Sequence, residues 1–97
     1  MFKLTGFQRD LLYAIAGHDR PSGQQLKDDL EAAFDGEITH GRLYPNLDTL
    51  VNRGYVEKGR VDRRTNYYVL SETGREALAA RKEWEDGYLP FETSSGS

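Results

Sequence analysis

The chain has 97 residues, no cysteine, 16 Asp and Glu against 13 Lys and Arg, and a formal net charge of −3. A chain of this size makes one domain, or one domain with a tail, and its modest core would benefit from a partner subunit. No apolar run approaches the ~20 residues of a membrane span, the start "MFKLTGFQRD" lacks a signal-peptide core, and the lack of cysteine excludes disulfides, thiolate metal sites and a thiol nucleophile. A cytoplasmic protein is therefore expected. Nine arginines against four lysines on an acidic chain add weak support for a halophilic origin.

The predicted elements run helix, helix, helix, hairpin, helix. Thr5 caps a first helix to about Ala16, with Phe7, Leu11, Leu12 and Ile15 on one face and Gly17 as its C′ residue. Ser22 with Gln25 makes a capping-box pattern that opens a second helix, Gly23 to Phe34, whose face is Leu26, Leu30, Ala33 and Phe34. "DGEI" breaks it, and Ile38 is a candidate for one short strand. Asp28, Asp29 and Glu31 read as a solvated acidic face.

Thr39 caps a third helix, "HGRLYPNLDTLVNR", closed by Gly54. At 100° per residue, Leu43, Tyr44, Leu47, Leu50 and Val51 share one sector, and Arg42, Pro45, Asn46, Thr49, Asn52 and Arg53 share the opposite one. Pro45 removes one backbone hydrogen bond and should bend the helix slightly. Tyr44 borders the apolar sector and is read as core or interface before DNA contact.

"YVEKGRVDRRTNYYVL" has two β-rich arms around a polar centre, with the turn near "DRRT" and Val56, Tyr68 and Leu70 facing the core. A fourth helix starts between Ser71 and Thr73. Ala77, Arg81, Trp84 and Tyr88, with Leu78 beside them, form its stripe; Pro90 and "ETSSGS" end it in an expected disordered tail, residues 90–97.

Charge is unevenly placed along this order. Residues 38–70 hold six basic residues (Arg42, Arg53, Lys58, Arg60, Arg63, Arg64) and three acidic ones (Asp48, Glu57, Asp62), a net of +3. The remainder has seven basic and thirteen acidic residues, a net of −6. Three short helices followed by a hairpin make a mostly α fold with a β-hairpin, the α-α-α-β-β-α order of a winged helix-turn-helix domain. Its third helix would turn Arg42, Asn46 and Thr49 to base edges and phosphates. The hairpin would carry Arg60, Arg63 and Arg64 to a backbone or minor groove. The bland alternative is an ordinary amphipathic helix beside a solvated basic turn, and charge by itself favours it about two to one, as a rough prior; the order of elements reverses that balance.

"RLYPNLDTLVNRGYVEKG…RRTNYYVLSETGREAL" resembles the PadR family of transcriptional regulators, and its short haloarchaeal members in particular. The resemblance rests on Leu43-Tyr44-Pro45, Leu47, Leu50, Gly54-Tyr55-Val56, Tyr68-Val69-Leu70-Ser71 and Gly74. It implies a dimeric DNA-binding regulator, with a lean towards repression, whose third helix reads DNA and whose last helix makes the dimer. Larger members carry a long helical C-terminal domain where this chain has one helix, so the resemblance does not carry over their effector pocket, and a small-molecule effector is left open. The expected organisation is a winged-helix domain over residues 1–70, a dimerisation helix over 71–89 and the tail.

The candidate DNA-binding set is Arg42, Asn46 and Thr49, with His40, Asn52 and Arg53 peripheral, and Arg60, Arg63, Arg64, Thr65 and Asn66 on the wing. Tyr67 could pack at the wing base or touch DNA. Ala77, Leu78, Arg81, Trp84 and Tyr88 are the candidate dimer interface. Two distant histidines without cysteine make no metal site, no cofactor is implied, and no residue constellation supports an enzyme. The rival function is a winged-helix module that binds another protein through the basic wing and never touches DNA.

Overall fold

The computed structural model describes residues 4–88. The order is α1 (Gly6–Ala16), α2 (Gly23–Phe34), α3 (His40–Asn52), β1 (Val56–Arg60), β2 (Asn66–Leu70) and α4 (Glu72–Asp86). The expected tail, residues 90–97, and the last residue of the expected dimerisation segment lie outside the described residues.

Each helix begins where a side-chain oxygen satisfies an orphan backbone N–H. Thr5 accepts from Gln8 N–H and Ser22 from Gln25 N–H, and in both cases the glutamine side chain returns the bond to the cap backbone. Thr39 and Ser71 cap α3 and α4 in the same way without the return bond. At the end of α3, Gly54 adopts φ +83. Its N–H donates to Val51 O, and Tyr55 N–H donates to Leu50 O. This paired closure needs a left-handed residue, which glycine supplies without a Cβ clash. Gly17 differs from expectation: its φ is −82, and α1 ends right-handed.

The apolar faces meet in one core. Leu11, Leu12, Leu26, Leu43, Leu47 and Leu50 have no exposed surface, and Ile15, Ile38, Val56, Tyr68, Leu70 and Leu78 close around them. Burying each such leucine contributes roughly 1.5–3 kcal/mol, which is what holds three short helices and a hairpin together. Leu78, expected at a dimer interface, is 7 % exposed and belongs to this chain's own core. It sits on the inward side of α4, which packs on α1 and β2.

β1 and β2 are antiparallel, with Val56 opposite Leu70, Lys58 opposite Tyr68 and Arg60 opposite Asn66. Val56, Tyr68 and Leu70 therefore share the core-facing side, as the alternation predicts. Ile38 forms no strand. Its N–H donates instead to the Glu31 carboxylate at 2.7 Å, which leaves no ladder to join. The sheet is extended elsewhere: Ser22 bridges Tyr67, and Tyr68 N–H donates to Pro21 O at 2.9 Å, tying the start of α2 to the wing. Glu31 is thus more than part of a solvated face. The Ile38 N–H, and then Lys27 at 3.0 Å, hold its carboxyl below the usual range.

Candidate nucleic-acid interface

α3 buries Leu43, Leu47 and Leu50 and leaves His40, Arg42, Tyr44, Pro45, Asn52 and Arg53 exposed. Arg42 stacks its guanidinium 4.2 Å from the centroid of Phe7, so its stem is braced by α1. His40 meets Tyr44 edge-on at 5.5 Å. Thr49 donates its hydroxyl to Pro45 O at 3.0 Å and keeps its oxygen available as an acceptor.

Asn46 is more constrained than its helical position suggests. Its Oδ1 accepts from Gln8 Nε2 at 2.9 Å, and its Nδ2 donates to Arg42 O at 2.6 Å. Gln8 is itself buried, and its Oε1 accepts from Thr5 N–H. One side chain thus links the N-cap of α1 to the outward side of α3. One N–H and one lone pair of the Asn46 amide remain for other contacts.

Tyr44 is 37 % exposed and lies outside the core, so of the core-or-interface placement read from sequence the core does not hold. Its ring rests on Gly23, where a Cβ would stand 2.6 Å from the hydroxyl; only glycine leaves room for this seat. The two residues line a cleft of about 250 Å³ together with Ser22, Gln24, Arg64, Thr65, Asn66 and Tyr68. The N-terminus of α2, the middle of α3 and the wing therefore open onto one surface. Burial raises the Tyr68 phenol above its ordinary pKa, with the Tyr44 and Asp48 charges adding to it.

The wing turn is organised by its own carboxylate. Asp62 accepts the N–H groups of Arg64 and Thr65, both at 2.9 Å, and Val61 N–H donates to Thr65 O at 2.8 Å. The Arg64 N–H is the main cause of the lowered Asp62 pKa. The negative charge is thereby engaged by backbone, and Arg63 and Arg64 project from the turn with Arg60 beside them, all exposed. Among the described residues, Arg42, Arg53, Lys58, Arg60, Arg63 and Arg64 make no ion pair, whereas Lys27, Arg81 and Lys82 each stand 3.0 Å from a carboxylate. All six cations of residues 38–70 are left to meet an external anion. At the wing base Tyr67 receives the Arg20 guanidinium 5.2 Å from its centroid, the packing alternative read for it from sequence.

The profile of the Transcriptional regulator PadR-like family matches residues 11–80. The chain belongs to the PadR-like family of transcriptional regulators. Membership makes it a DNA-binding transcriptional regulator with a winged helix. No curated protein matches the sequence. Among solved structures, RosR of H. salinarum, grown from NaBr, is 44 % identical with TM-score 0.83 over 88 % of this chain and 76 % of that one. A complex structure of RosR-S1 is 42 % identical with TM-score 0.86, over 90 % and 77 % of the two chains. Streptococcus pneumoniae FabT in complex with DNA shares the fold alone, at 20 % identity and TM-score 0.75 over 90 % of this chain and 58 % of that one. RosR is haloarchaeal, in keeping with the acidic, arginine-rich composition.

In this PadR-like chain, sequence reasoning placed α3 and the wing correctly as elements but missed Gly23 and Gln24 as parts of the same surface and Gln8 as the buried support behind it. Gly23, directly after a capping serine, and Gln8, three residues after the Thr5 cap, carried local signals. The far end of α4 lies on a different surface. There Trp84 is 44 % and Tyr88 69 % exposed, their rings 4.9 Å apart, with the Arg81 guanidinium 4.5 Å from the Trp84 centroid. Among the described residues no helix is long and apolar enough to cross a membrane.

Proposed function

We propose that this regulator acts in the cytoplasm as a homodimer that represses transcription from a near-palindromic DNA site. α3 enters the major groove with Arg42 and Thr49 foremost and His40, Asn52 and Arg53 at the flanks. Asn46 orients this surface through Gln8 and offers its remaining amide valences to a base. Arg60, Arg63, Arg64, Thr65 and Asn66 follow the phosphate backbone or adjacent minor groove. Ala77, Arg81, Trp84 and Tyr88 form the contact with the second subunit.

The observation that carries this reading is the shared cleft of Gly23, Tyr44 and Arg64 to Asn66, which puts α3 and the wing on one side under unpaired cations. The acidic remainder of the chain, net −6, supports the same orientation, since a polyanion is favoured at the basic segment over the acidic ones. Exposed aromatics at the end of α4 support a subunit contact there, because Trp84 and Tyr88 still present 44 % and 69 % of their surface beside their contacts with each other and with Arg81.

Selection from a random duplex pool tests the reading. The expected product is an inverted repeat whose half-sites are one helical turn, about 34 Å, apart. Retention of no particular sequence, with capture of DNA at low salt alone, would replace it with the protein-binding alternative.

A further inference from the structure

The outer half of the wing is the part of the DNA surface that the core does not hold. Val56, Tyr68 and Leu70 anchor the inner half, whereas Arg60, Val61, Asp62, Arg63 and Arg64 are all exposed. A two-stranded hairpin is marginally stable by itself in water. Its outer half keeps a fixed direction only if something beside the core holds it. We propose that Arg20, in the turn between α1 and α2, is a positioning residue for DNA binding. It braces the Tyr67 ring against Gly59 and so sets the angle at which the wing cations meet the duplex. This rests on the reading of the wing as a phosphate-binding element.

The brace is built where the hairpin leaves the core. Gly59 pairs with Tyr67, next to the final pair of Arg60 with Asn66. The Tyr67 ring lies across Gly59 so closely that a Cβ there would stand within the ring. Among the described glycines Gly54 alone has a positive φ, so the backbone does not require glycine at position 59. What the missing Cβ leaves is the seat for the ring. The Arg20 guanidinium lies over the same ring, 5.2 Å from its centroid. The main chain after Arg20 then runs along the free edge of β2. Ser22 bridges Tyr67, and Tyr68 N–H donates to Pro21 O at 2.9 Å.

The backbone of Arg20 points to the same use of its side chain. Its φ is +52, a left-handed conformation uncommon for a long side chain. Glycine would adopt it at no steric cost, so what arginine adds is the side chain, and that side chain goes to Tyr67. The ties of Pro21 and Ser22 to β2 hold the strained residue in place. The lever beyond the brace is long. Arg63 stands up to about 13 Å past Gly59 at roughly 3.3 Å per residue, so a tilt of about 10° moves it by about 2 Å. Hydrogen bonds to a phosphate tolerate only about 0.5 Å.

The test uses the full chain with Arg20→Gly, Arg20→Lys or Gly59→Ala, each with and without Arg63→Ala and Arg64→Ala. The readouts are thermal melts, amide exchange without DNA, and affinity for a random duplex against salt. Arg20→Gly should melt close to wild type, because glycine relieves the left-handed backbone as the ring contact is lost. The Tyr68 amide should exchange several-fold faster, while those of Leu47 and Leu50 stay unchanged. Affinity should fall roughly two- to fivefold, the contribution of one cation–π contact, with a flatter salt dependence. Arg20→Lys keeps a cation over the ring and should restore most of the affinity. Gly59→Ala removes no charge, yet it should flatten the salt dependence as well. Without the wing-tip arginines both losses should largely vanish, since the charge to be aimed is gone. Unchanged Tyr68 exchange in Arg20→Gly, or a melt that falls along with the affinity, overturns the brace. A loss that persists in full without the wing-tip arginines, or an unaltered salt slope in Gly59→Ala, makes Arg20 a DNA contact of its own and overturns the positioning role. The wing reading fails separately, by an unchanged slope in the Arg63→Ala and Arg64→Ala protein alone, while the Tyr68 amide reports the brace without any DNA.

Discussion

Replacing Asn46 by alanine separates a residue that reads bases from one that holds the reading helix in place. The substitution deletes the Gln8–Asn46 bond of 2.9 Å and leaves Gln8 Nε2 without its acceptor, on a residue only 8 % exposed. A neutral hydrogen bond contributes about 0.5–1.5 kcal/mol, and a buried donor left unsatisfied costs about 1–3 kcal/mol. Alanine's higher helix propensity returns up to about 0.7 kcal/mol. A net loss of about 1–2 kcal/mol in urea unfolding is therefore expected. Gln8→Ala should lose a similar amount, because it also removes the return bond of the α1 capping box. The double variant should fall short of the sum, by a coupling of about 1 kcal/mol. Binding to the selected site should weaken in both single variants, although Gln8 is buried behind α3. Additive losses within about 0.3–0.5 kcal/mol, with a change of preferred sequence in Asn46→Ala alone, would refute the clamp and return Asn46 to direct readout.

The paired variant Arg63→Ala with Arg64→Ala should weaken binding to every sequence and flatten log affinity against log salt by up to about 1.8, since each phosphate contact contributes about 0.9; an unchanged slope removes the wing tip from the backbone. Trp84→Ala should convert the dimer to a monomer or cost it about 2 kcal/mol or more, as read by light scattering, and a variant that stays dimeric and binds DNA normally moves the interface off α4. Glu31→Gln keeps an acceptor for Ile38 N–H but loses the charge that Lys27 meets. Its wild-type carboxyl is depressed in the fold, so its contribution is present above the ordinary Glu value of about 4.3 and lost as pH falls through the depressed one. The variant should therefore be the less stable at pH 7 and equal to wild type in strong acid; a stability gap that persists at low pH contradicts this.

Much of the fold was legible because its determinants are local. A capping serine or threonine acts on a backbone N–H three residues away, and Gly54 closes α3 through bonds spanning four to six residues. Periods of 3.6 and 2 placed Leu43, Leu47 and Leu50 and then Val56, Tyr68 and Leu70 on inward sides, and the charge count placed the cations of residues 38–70 on the winged element. Ile38 misled because an apolar residue after a turn reads as a strand, while the partner that decided its fate was a carboxylate seven residues earlier. What the sequence could not reveal is what long-range packing brings together. Gln8 and Asn46 meet across 38 residues, Tyr44 settles on Gly23, and Leu78 turns inward from a stripe whose period fits either side. Arg20 and Arg75 line one cavity only after α1, β2 and α4 have packed. Hydrogen bonds within a turn follow from the order of residues, but a contact between distant residues depends on which apolar faces bury together, and that is decided by the core as a whole.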